Sequence, residues 1–88
     1  MMDLTCGGAL ATQQRYRRAR MQSRLESMLE GMGIRARCNG IGEDTAARNC
    51  SAYLGAHEVI NGTVLTDSEL DAALDAFAFG YHGEMTTC

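Results

Sequence analysis

The apolar residues of this chain recur mostly at helical spacing. From about Ala9 to Glu30 the sequence holds strong helix formers, no proline, and no glycine before Gly31. Leu10, Met21, Leu25, Met28 and Leu29 within it, with Met32 just beyond, fall on one stripe, denser toward the C-terminal half. The pattern predicts a first helix over about 9–30, stopped by Gly31 and Gly33, with its N-terminal half held less firmly.

The next segment, 33–42, alternates apolar and polar positions for five residues before turn residues break it. It reads as a connecting loop, with a short two-stranded pairing to Thr63-Val64-Leu65 as its only strand option. From Asp44 to Asn61 the residues Ala46, Ala47, Cys50, Tyr53, Leu54, His57 and Ile60 follow the i, i+3, i+4 rule, and Asn61-Gly62 supplies a C-terminal stop. A hairpin pairing 57–60 with 63–65 across the Asn-Gly dipeptide competes with this second helix, and the helix is the favoured reading.

Thr66-Asp67-Ser68-Glu69 has the form of a capping box, in which the threonine hydroxyl and the glutamate carboxylate satisfy free N–H groups at a helix start. A third helix is therefore expected from about Asp67 to Phe79 or Gly80. Its core face should hold Leu70, Ala73, Leu74, Phe77 and Tyr81. Ala72, Ala76 and Phe79 form a second, narrower apolar strip flanked by Asp71 and Asp75. A helix apolar on two sides needs two neighbours, the second being the first helix packing from the other side, or else a second chain or outside partner.

The predicted fold is all-α or nearly so: one compact three-helix domain over 1–88, with a short two-stranded element as an option and flexible ends at 1–8 and 82–88. Composition agrees, since 45% hydrophobic and 22% charged residues suit a globular chain and not a disordered one. With no Trp and six Met, the core should be adaptable. The N-terminus lacks an apolar segment behind a basic start, and no run approaches the roughly 18 apolar residues of a membrane span. A cytoplasmic protein without a membrane partner is expected.

Charge changes the picture more. Residues 1–48 carry eight Arg against five acids, and residues 49–88 carry six acids and no Arg, so a net −3 conceals a basic half and an acidic half. Arg15, Arg17, Arg18, Arg20 and Arg24 have no acid three or four positions away, so the usual intrahelical ion pairs are missing. In a helix starting near Ala9 they would also oppose the macrodipole. Arg17, Arg20 and Arg24 share one edge of the apolar stripe, and Arg15 and Arg18 lie on the other side. These arginines either meet Asp67, Glu69, Asp71 and Asp75 of the third helix, or are merely solvated, or remain for an acidic protein surface or a nucleic acid. The acidic pI of 5.2 argues against general binding to a phosphate backbone.

Catalytic signatures are missing. The chain contains no GxSxG, no HExxH and no phosphate-cradling glycine loop, and Asn61-Gly62 with Glu69 does not match a calcium loop. Cys6, Cys38, Cys50 and Cys88 form no CxxC pair, so ordinary thiols are favoured over disulfides or a metal involving His57 or His82. His57 reads as a satisfied, partly buried histidine and His82 as part of a mobile tail.

The sequence thus leads us to expect a non-enzymatic interaction module without cofactor or metal, a small regulator or inhibitor docking on a larger protein or nucleoprotein assembly. A phage or mobile-element counter-defence protein, such as an anti-CRISPR, is one setting of that kind. The expected contacts are Arg15, Arg17, Arg18, Arg20 and Arg24, with Ala72, Ala76 and Phe79 for a partner or a homo-oligomer. The alternatives are a nucleic-acid-binding regulator using the arginines and a redox or metal sensor using the cysteines.

Overall fold

The computed structural model describes the backbone of residues 2–83 and the side chains of residues 12–83. Three helices make up the fold: α1 over Met2–Cys38, α2 over Glu43–Asn61 and α3 over Asp67–His82. There is no strand among the described residues, so neither the optional pairing of 33–42 with 63–65 nor the hairpin around Asn61-Gly62 is formed.

The first helix is longer than expected at both ends. Helical glycine costs only about 1 kcal/mol, and at Gly33 the missing side chain is needed. A Cβ there would overlap the Phe77 carbonyl oxygen and come within 2.7 Å of the Tyr81 nitrogen. Gly80 of α3 answers it, since a Cβ on that residue would overlap the Glu30 carbonyl. Gly33 is therefore a contact point inside a continuing helix.

The true stop is Asn39-Gly40. Gly40 has φ 71°, its N–H donates to the Arg37 carbonyl at 3.1 Å, and the Ile41 N–H donates to the Ala36 carbonyl at 2.9 Å. This is a Schellman closure, and Ile41 packs against the core cluster to which Ala36 belongs. The same chemistry ends α2: Gly62 has φ 63°, its N–H reaches the Val59 carbonyl at 3.3 Å, and the Thr63 N–H reaches the Glu58 carbonyl at 3.2 Å. One dipeptide, Asn-Gly, closes both helices.

At the start of α3 the capping box forms with both of its bonds, Glu69 N–H to the Thr66 hydroxyl at 3.2 Å and Thr66 N–H to Glu69 Oε1 at 2.9 Å. By contrast α2 begins at Gly42 with no side-chain cap and relies on Glu43 and Asp44 to complement its dipole.

The chain runs up α1, back along α2 and up again along α3. Gln22 Nε2 donates to the Glu69 carbonyl and Gly33 meets Gly80, so α3 is parallel to α1. Tyr53 of α2 donates to Met28 Sδ at 3.1 Å, midway along an antiparallel crossing. The core is Leu25, Leu29 and Ala36 of α1, Ala46, Cys50 and Leu54 of α2, and Ala73 and Phe77 of α3, with Leu65 from the linker. Full burial of a leucine such as Leu29 contributes about 1.5–3 kcal/mol. Tyr81 closes the far end by donating to the Ile41 carbonyl at 2.5 Å.

Two expectations for α3 change. Leu74, expected in the core, is 41% exposed, because the buried face is centred on Ala73, Phe77 and Gly80 and not on the a/d-like row. His82 is helical, with Nε2 4.0 Å from Glu43 Oε1 and its ring edge-on to Tyr81. Residues 84–88, within the end expected to be flexible, lie outside the described residues. Among the described residues no helix is long and apolar enough to cross a membrane.

Candidate functional site

The five clustered arginines of α1, Arg15, Arg17, Arg18, Arg20 and Arg24, do not share one surface. Arg18 is committed to α3: its Nε donates to Glu69 Oε2 at 2.6 Å, and its Nη2 to Glu69 Oε1 at 2.5 Å and the Val64 carbonyl at 2.9 Å. The forked geometry holds the Glu69 carboxyl at about 2, well below its ordinary 4.5, chiefly through that hydrogen bond, while partial burial opposes the shift and Thr66 adds to it. The same contact raises Arg18. Glu69 therefore serves both in the capping box of α3 and as the clamp on α1.

Of the acids expected to meet the arginines, only Glu69 does. Arg17, Arg20 and Arg24 point the other way, toward α2, and make no ion pair with a described residue. Arg20 stacks its guanidinium over the Tyr16 ring at 5.8 Å. Arg15 is exposed beside a smaller hollow of about 470 Å³ that Gln14, Arg17, Arg18, Met21 and Thr63 also line. Because α1 begins at Met2, all five arginines sit well inside the helix, and the expected conflict with its macrodipole disappears. Arg35 and Arg37 occupy the last turn, where the dipole favours them.

Arg17, Arg20 and Arg24 form one wall of a groove of about 520 Å³ between α1 and α2. Its floor is apolar, made by Met21, Leu25 and Met28 of α1 with Tyr53, Ala56 and Ile60 of α2. Ile60, expected on the inner face, is 81% exposed at the open end. The buried face of α2 is centred on Ala46, Cys50 and Leu54, and Ile60 lies about 80° around the helix from Cys50. His57 lines the groove half-buried, but its Nδ1 is buried without a hydrogen-bond partner, so it is not the satisfied histidine the sequence suggested.

The second predicted surface is divided. Ala72 and Ala76 are half-buried within the chain, while Phe79 is 62% exposed and stands apart from the groove. The sequence places Met21, Met28, Tyr53 and Ile60 on apolar stripes of the first two helices and does not single them out as a groove lining. The signal for them was weak, since a floor and a core have the same apolar spacing.

Burial raises the Cys50 thiol, which leaves a poor nucleophile. Cys38 is disulfide-bonded, against the favoured reading of ordinary thiols. Among the described residues no three His, Cys, Asp or Glu side chains converge as a metal site would require. No protein-family model, curated protein or solved structure matches this chain, so the groove's own chemistry is what a functional reading stands on.

Proposed function

We propose that this protein is a non-enzymatic interaction module that docks its α1–α2 groove on an acidic surface of a larger protein or nucleoprotein assembly and thereby regulates or inhibits it. The observation that carries this reading is the set of three arginines without ion pairs, Arg17, Arg20 and Arg24, above an apolar floor that includes the exposed Ile60. Arginine, methionine and tyrosine are the side chains enriched where proteins bury contact surface. An unpaired guanidinium beside apolar area gives an incoming carboxylate a forked partner and lets its apolar neighbours leave water.

A photo-crosslinking residue at position 60, compared with one at exposed position 48, tests the reading in the cell that makes the protein. A discrete protein adduct is expected from position 60 and not from 48, lost when Arg17, Arg20 and Arg24 become Ala. Equal adducts from both positions, or none from position 60, overturn it. Adducts with nucleic acid alone would favour the second reading, a nucleic-acid-binding regulator, whose affinity must fall steeply with salt.

A further inference from the structure

The molecule carries a second set of unpaired charges. On α3, Asp67, Asp71 and Asp75 recur every four residues and form a stripe on the side away from the buried Ala73, Phe77 and Gly80. None of them makes an ion pair with a described residue. At 1.5 Å rise per residue the stripe is about 12 Å long, and Arg17 to Arg24 spans about 10.5 Å. Leu74 and Phe79, 41% and 62% exposed, flank the aspartates as Met21, Met28 and Ile60 underlie the arginines.

The chain cannot pair these surfaces within itself. The core face of α3 is held on α1 by the interlocked Gly33 and Gly80 and by the Arg18–Glu69 clamp. Arg17 lies about 100° around α1 from the Arg18 that faces α3, so the groove opens to a different side.

We propose that the acidic outer face of α3 from a second copy of this chain seats in the α1–α2 groove. The aspartate stripe meets Arg17, Arg20 and Arg24, and Leu74 and Phe79 leave water against the apolar floor. This rests on the reading of the groove as a protein-docking site, and it makes self-association a brake on that site: an outside partner must displace α3 of a neighbouring copy. Groove and stripe are different surfaces, so each copy both offers and accepts one, and mass grows with concentration, to a dimer where two copies exchange α3 reciprocally and beyond it where copies add head to tail.

Light scattering on the full chain across a concentration series, at low and high salt, measures this. Growth of mass at low salt and its loss at high salt are expected. Two charge reversals, D71R with D75R and R17D with R24D, should each leave a folded monomer by circular dichroism, with association weakened at least about tenfold. Mixing the two variants should restore growth, since each supplies the complement of the other. A wild-type chain that stays monomeric throughout, or association that survives both reversals, overturns the proposal. A monomer whose position 60 still captures a protein would discard self-seating and keep docking. Swap-dependent self-association without an outside adduct would do the reverse.

Discussion

The two seams of α1 are built on different principles. Against α3 it presents glycine to glycine, with Gly33 and Gly80 letting the backbones touch, a forked ion pair at one end and the Tyr81 hydroxyl closing the other. Against α2 it presents long side chains, Met21, Arg24 and Met28, which hold the helices apart and leave a groove. Packing density makes the first seam intolerant of added volume, and open space makes the second tolerant of it. The tight seam carries stability, and the open one is where we place docking.

Glycine substitutions test that contrast most sharply. Gly80→Ala must force α3 away from the Glu30 carbonyl and should cost about 3 kcal/mol. At about 4–8 °C per kcal/mol for a domain of this size, thermal unfolding should show the loss plainly. Unchanged melting would mean that the helices do not touch there. A smaller effect is expected at the clamp: Glu69→Ala removes the carboxylate half of the capping box and a partly exposed ion pair together, about 1–2 kcal/mol in denaturant titration.

The clamp also has a pH signature. The Glu69 carboxyl is depressed to about 2 in the folded protein from an ordinary 4.5, so its contribution is fully present above the ordinary value. It is lost as pH falls from there toward the folded value. Melting temperature should decline over that window, and Glu69→Gln should flatten this part of the decline.

On the solvent face of α2 the sign reverses. Gly55→Ala in α2 meets nothing within 4 Å and should stabilise by about 0.5–1 kcal/mol, because alanine surrenders less backbone freedom in a helix. A destabilised Gly55→Ala would show that α2 packs more closely than described. Arg24→Ala should change stability by less than about 0.5 kcal/mol while weakening capture at position 60, which separates binding from folding in one variant.

How much was legible beforehand differs by element. Helix α2 and the capped start of α3 are visible in local chemistry, since a stop at Asn61-Gly62 and a box at Thr66 to Glu69 act over a few residues. The end of α1 was misread because Gly31 and Gly33 come first, although Asn39-Gly40 repeats the signal that correctly ends α2. A glycine needed for close approach and a glycine that stops a helix are the same letter. Only the neighbour tells them apart. For the site, unpaired arginines were recognisable by their spacing, but the choice of Arg18 for Glu69, and of Arg17, Arg20 and Arg24 for the groove, was not.

By itself the sequence determined the helical class, three amphipathic segments, the cap of α3 and the separation of charge along the chain. These follow from interactions within a turn or two of helix, whose partners are near in sequence. Tertiary structure alone decided that α3 lies parallel on α1, that Leu74 and Ile60 face outward, and that three of five clustered arginines border a groove. Each of those depends on which faces meet at what distance. That is set by the volume of side chains far apart in the chain, here most of all by the absence of one at Gly33 and Gly80.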